Sequence, residues 1–173
     1  MKKIILIVIL TITVIVAGVI LINNFLLNNN EKEILEVLKD LDNSLQNPKE
    51  KEEGTFNFMP SEPMTLKKYI DTIYEVRKIN TESGNITFLF KVKLLKENGD
   101  NYEGILAVVD GEIKGMTIDD KTIENINDDV EENNFTNSLQ KAFIKGINKI
   151  ITEKWDEASK INNVNFIKIL NRI

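Results

Sequence analysis

The sequence predicts an α+β fold: an N-terminal transmembrane helix, then an antiparallel meander sheet of three or four strands packed with helices before and after it. Three observations carry this reading. An uncharged apolar run opens the chain. Alternating apolar residues around an Asp-Gly turn mark its middle, and helical spacing of apolar residues returns on either side of that middle.

Nineteen predominantly apolar residues run from Ile4 to Ile22 without a charge, directly behind Lys2 and Lys3. At 1.5 Å per residue such a helix reaches roughly 28 Å, close to the ~30 Å hydrocarbon core of a bilayer. Phe25, Leu26 and Leu27 carry the helix into the interface, so residues 4–27 are expected to form a transmembrane signal anchor. The rival is a cleaved signal peptide, whose apolar region runs about 7–15 residues before a small-x-small site. Val16-Ala17-Gly18 offers a weak site of that kind, but the apolar run continues through Ile22. The positive-inside bias of Lys2 and Lys3 puts residues 1–3 in the cytoplasm. Residues 28–173 are then a single extracytoplasmic domain on the outer side of the cell membrane.

Composition narrows what that domain does. The chain carries 22 basic and 27 acidic residues, a net charge of −5. Without Lys2 and Lys3 the remainder is two positive charges poorer, near −7, which argues against nucleic acid as a partner. There is no cysteine, so neither a disulfide framework nor a lipidated cysteine is available. Heavy use of Ile, Asn and Lys suits an AT-rich bacterial genome and hence a bacterial cell envelope.

Glu31 to Gln46 reads as an amphipathic helix, with Ile34, Leu38, Leu41 and Leu45 on one face and Leu35 and Val37 beside them. Glu31 and Glu33 suit its N-terminal dipole, and Asn47-Pro48 stops it. Thr55 to Met59 alternates as a short strand. Ser61-Glu62-Pro63 starts a second helix whose apolar face is Leu66, Tyr69, Ile70 and Ile73. Tyr74 to Ile79 continues that helix or forms a strand; Ser83-Gly84-Asn85 at hairpin distance favours the strand.

Ile86 to Lys96 is a strand with Phe88, Phe90, Val92 and Leu94 on one face. Asn98-Gly99-Asp100-Asn101 is a turn, Tyr102 to Val109 the next strand, and Asp110-Gly111 a two-residue hairpin turn leading into Glu112 to Ile118. Asp119 to Glu132 is an acidic connector. The helical period then resumes from Asn134, with Leu139, Phe143, Ile147, Ile150, Ile151 and Ala158 as one stripe and Trp155 at its edge. Asn162-Asn163 interrupts it before a short last helix with Val164, Ile167 and Leu170.

The stretch from Tyr74 to Met116, with Tyr74-Glu75-Val76-Arg77-Lys78-Ile79, a turn, Ile86 to Lys96 and Asp110-Gly111-Glu112-Ile113-Lys114, resembles the sheet of NTF2-like domains. These occur on membrane-anchored proteins of low-GC bacteria. The resemblance implies a curved antiparallel sheet whose concave face, covered by helices, encloses a pocket. Two helices after the sheet and Ile113 in place of an aromatic residue depart from that pattern.

Histidine is absent, which removes Ser-His and Cys-His nucleophiles and His-ligated zinc. No glycine-rich phosphate loop occurs. Paired carboxylates acting on an envelope polymer and a Ser-Lys dyad remain as chemistries, but no pattern selects residues for either, so no catalytic residue is assigned. The acidic connector reads as a solvated loop before it reads as a calcium site, so no metal ligand and no cofactor is assigned. The basic C-terminal residues Lys141, Lys145, Lys149, Lys154, Lys160, Lys168 and Arg172 fit either an anionic surface or a helix packed on the sheet with its lysines in water. Phe88, Phe90 and Tyr102 are candidates to line a pocket, and equally candidates for plain core. The expectation is a non-catalytic binding or interaction domain on a single-pass membrane anchor, its partner a protein or a small ligand. The alternatives are a carboxylate-dependent envelope enzyme and an assembly factor in a membrane complex.

Overall fold

Asn28 starts the first helix with a capping box. Its side chain accepts from the Glu31 N–H at 2.8 Å while its own N–H donates to the Glu31 carboxylate at 3.1 Å. In the computed structural model of the chain, which describes residues 27–48, 58–60, 62–80, 86–95, 101–125 and 134–173, this helix is α1, Asn29–Gln46. Ile34, Leu38, Leu41 and Leu45 form its buried face, as their spacing predicts. Residues 4–26 of the expected anchor lie outside the described residues, as do Thr55, Phe56 and Asn57 of the expected short strand. Among the described residues no helix is long and apolar enough to cross a membrane.

The second expected helix shrinks to one turn, α2, Leu66–Tyr69. Ile70 and Ile73, read above as its apolar face, belong instead to a strand, β1, Ile70–Asn80. The misreading has a physical cause. Register shifts against the neighbouring strand fall between Ile70 and Thr72 and between Ile73 and Glu75. Each inserts an extra residue, so Ile70, Ile73 and Val76 bury at spacings of three instead of two. A bulged strand thus imitates a helical period. The strand reading of Tyr74 to Ile79 holds within this longer element.

The remaining meander follows the alternation: β2, Ile86–Leu95, β3, Asn101–Val109, and β4, Glu112–Met116. At the β3–β4 turn Asp110 and Gly111 both take positive φ, 50° and 71°, as the two-residue hairpin requires. A six-residue helix, α3, Asp120–Asn125, occupies the start of the acidic connector. The long helix α4, Asn134–Glu157, is followed by a two-residue strand β5, Ser159–Lys160, and a final helix α5, Phe166–Leu170. Among the described residues the sheet has five antiparallel strands in the order β4-β3-β2-β1-β5, against the three or four expected from the sequence.

Helices lie on both faces of the sheet. On one face α1 and Ile169 of α5 close a core over Val76, Phe88, Phe90, Val92, Leu106 and Val108. On the other face α4 runs across β4, β3 and β1. Two expectations for the C-terminal helices are corrected here. Of the α4 stripe, Ile151 is buried, joined by the unexpected Ile144, whereas Leu139, Phe143 and Ile150 are 55%, 48% and 55% exposed. In α5 the buried residue is Ile169, while Ile167 is 76% exposed. An apolar arc wider than its contact leaves the choice of buried side to the partner surface.

Candidate functional site

The second face of the sheet carries its smallest residues in one row. Leu89 pairs with Ala107 and Ala107 with Gly115 across β2, β3 and β4. At Gly115 a Cβ would stand 3.0 Å from Ile151 Cδ1, so α4 approaches the sheet closely at that point. Beyond it the small side chains leave a gap between helix and strands. The result is an open groove of about 920 Å³. Its apolar lining is Ile79, Leu89, Ala107 and Val109 from the sheet and Ile147, Ile150 and Ile151 from the helix. That volume lies in the range of small-molecule sites, about 300–1,000 Å³.

Two sets of contacts hold the helical wall. Asn148 accepts from the Ile118 N–H at 2.9 Å and donates to the Ile118 carbonyl at 2.6 Å, which sets the rotation of α4 about its own axis. At the C-terminal end Arg77 lies 4.4 Å from the Trp155 ring centre and donates to the Trp155 carbonyl at 2.8 Å. Arg77 also donates to Glu75 at 2.7 Å, and Lys160 of β5 donates to the same carboxylate at 2.7 Å. The bonds from Lys160 first, and Arg77 second, hold the Glu75 carboxyl below its usual pKa. Replacing Asn148 by Ala is expected to cost about 1–2 kcal/mol, two part-buried hydrogen bonds being lost and Ile118 left to water. The urea midpoint of the full chain, followed through Trp155, the single tryptophan, measures the loss. An unchanged midpoint would show that α4 is held by packing alone.

The rim is polar. Lys114 and Lys154 line it, with the carboxylates Glu112 and Glu157 as their respective partners. At one end Lys78, Asn80 and Ser159 line both the groove and a smaller polar hollow of about 340 Å³. Asn30, Asn162 and Asn163 line the far side of that hollow. Here two Asn-rich stretches of the chain, residues 28–30 and 162–165, meet. Asn28 donates to the Asn163 carbonyl at 2.6 Å and Asn30 to the Asn162 carbonyl at 3.1 Å. The buried Glu31 carboxylate accepts from the Asn165 N–H at 3.0 Å and lies 3.7 Å from the Lys168 ammonium. The C-terminal segment is therefore stitched to the first turn of α1.

The aromatic candidates lie elsewhere. Phe88 and Phe90 are buried in the core facing α1, their ring centres 6.3 Å apart. Tyr102 is half-buried at the margin of that core, its hydroxyl 3.8 Å from Met116 Sδ. Burial, and then Asp119, push its phenol up to about 12, so it stays protonated at neutral pH. None of the three lines the groove. The groove residues escaped the sequence reading, although Ala107 and Gly115, small residues in strands otherwise rich in branched ones, were the available signal.

The groove is poor in reactive groups. Glu157 is the single carboxylate among its lining residues and sits 2.7 Å from Lys154, whereas glycan cleavage needs two facing carboxyl groups. Ser159 stands opposite Lys78, whose side chain is bonded to Glu33 and not to the Ser159 hydroxyl. Asp119 accepts from the N–H and hydroxyl of Thr122. Among the described residues no three acidic side chains gather where they could hold a metal ion. Asp128, Asp129, Glu131 and Glu132 of the acidic connector lie outside the described residues. No family model, no curated protein and no solved structure matches the chain.

Proposed function

We propose that this protein is a single-pass membrane protein, anchored by residues 4–27 with its N-terminus in the cytoplasm, whose domain outside the membrane binds a small apolar or amphipathic ligand without transforming it. The observation that carries the reading is the groove beside α4. It is apolar on its floor and helical wall, polar at its rim, and large enough for one such molecule. The uncharged run from Ile4 to Ile22 supports the anchor.

Native mass spectrometry of the full chain, released from its host membrane, tests the binding. The expected result is a retained small molecule at one per chain, reduced several-fold by Ala107→Leu, which fills the floor. A chain that carries nothing would overturn it. A second reading, docking of a protein partner in a membrane complex, draws on Leu139, Phe143 and Ile150, which are exposed together on α4. At 100° per residue these three fall within about 40° of one another on the helix.

A further inference from the structure

The groove has a direction. Its end at Lys78, Asn80 and Ser159 opens into the polar hollow beside Asn30, Asn162 and Asn163. Leu27, the last residue of the expected anchor, is non-helical and buried, and Asn30 follows it by three residues. Even a fully extended chain spans only about 3.3–3.6 Å per residue, so Asn30 lies within roughly 10 Å of the point where the chain leaves the hydrocarbon. The hydrogen bonds from Asn28 and Asn30 to Asn163 and Asn162 tie this end of the domain to the anchor's exit. With the anchor proposed above, a mouth so placed would stand at the headgroup level of the bilayer.

We infer that the groove takes up an acyl chain of a membrane amphiphile directly from the leaflet beside the anchor. The head stays at the Lys78–Asn80–Ser159 mouth and the tail lies along Leu89, Ala107, Ile147 and Ile150. This deepens the proposed function and rests on its anchor. The chemistry of the mouth selects the head. Lys78 is paired with Glu33, and Lys160 shares Glu75 with Arg77, so most of the positive charge there is offset and about one unit remains. An uncharged or zwitterionic head that hydrogen-bonds to Asn80 and Ser159 fits better than a strongly anionic one. The tail's path is apolar and passes Ile150, whose exposed side continues into Phe143 and Leu139 along the same flank of α4. Past the polar mouth, a chain entering the groove meets apolar surface at Leu89, Ala107, Ile147 and Ile150.

The test uses the full chain in phosphatidylcholine vesicles. They carry a trace of phosphatidylcholine with a photoreactive diazirine near the end of one acyl chain. After irradiation, crosslinked peptides are located by mass spectrometry. The expected result is labelling both in residues 4–27 and in the peptides containing Leu89, Ala107 and Ile147–Ile151. Ile150→Asp, a change at a half-exposed position that leaves the core untouched, is expected to reduce the groove labelling at least fivefold and leave the anchor labelling unchanged. Labelling confined to residues 4–27 would overturn the inference while the anchor stands. Labelling of neither region would overturn the anchor and with it the inference. Groove peptides crosslinked only to a second copy of the chain, or to the chain's own first 26 residues, would assign the groove to that occupant and also overturn it.

Discussion

Replacing Glu31 by Ala is expected to lower the stability of the domain by about 3 kcal/mol. The carboxylate is buried, 5% exposed, and each of its oxygens is used. One accepts from the Asn28 N–H at 3.1 Å and faces the Lys168 ammonium at 3.7 Å; the other accepts from the Asn165 N–H at 3.0 Å. Truncation leaves two backbone donors without an acceptor, each costing about 1–3 kcal/mol where water does not reach. It also opens the capping box of α1. Glu31→Gln keeps one acceptor oxygen and is expected to lose about half as much. Urea unfolding of the full chain read through Trp155 gives the size of the effect. Hydrogen exchange at Asn165 and Lys168 gives its location, because α5 should loosen before the sheet does. A loss under about 0.5 kcal/mol for Glu31→Ala would show that α5 is held by Ile169 alone.

Gly111→Val is expected to cost a similar 2–4 kcal/mol, for a different reason. Gly111 has φ +71°, where a β-branched side chain is strained by about 1–3 kcal/mol. Its missing Cβ also makes room for a neighbouring element, since a Cβ there would stand 2.7 Å from Asp40 Cβ and 2.9 Å from the Asp40 backbone carbon. Those atoms belong to the middle of α1, so the helix must lift or the turn must distort. Asp110, at φ 50°, provides the control. Asp110→Asn keeps a residue that tolerates this conformation and is expected to change stability by less than about 0.5 kcal/mol. Equal midpoints for Gly111→Val and the natural protein would mean that the β3–β4 turn does not rest on α1. Gly111→Ala, with a smaller side chain and the same positive φ, is expected to fall between the two.

Much of the first layer was legible because its signals are local. The face of α1 follows from a 3.6-residue period and the strands β2 and β3 from a two-residue one; both periods report a single partner surface. The groove was not legible in this way. It is a gap between elements far apart in the chain, opening beside the point where Gly115 lets Ile151 come close to the sheet, with Ala107 on its floor and Ile147 and Ile150 on its wall. Phe88 and Phe90 drew the sequence reading towards a pocket because aromatic rings suit both ligand walls and cores. The structure puts them on the face of β2 that α1 covers completely.

By itself, then, the sequence determined what short-range physics controls. Steric limits on φ placed the Asp110-Gly111 turn, apolar periodicity chose the buried face of α1 and of β2, and the missing histidine and cysteine closed off whole classes of chemistry. Tertiary structure alone decided the rest, wherever two local answers were nearly equal in energy. Bulges against β2 turned the three-residue spacing of Ile70, Ile73 and Val76 into a strand. The paired hydrogen bonds of Asn148 to Ile118 chose which side of an over-wide apolar arc α4 would bury. Contacts between residues 28–31 and 162–168, which no local period encodes, joined the first helix to the last. Each of these choices is worth a few kcal/mol, and each depends on a neighbour that only the folded chain brings within reach.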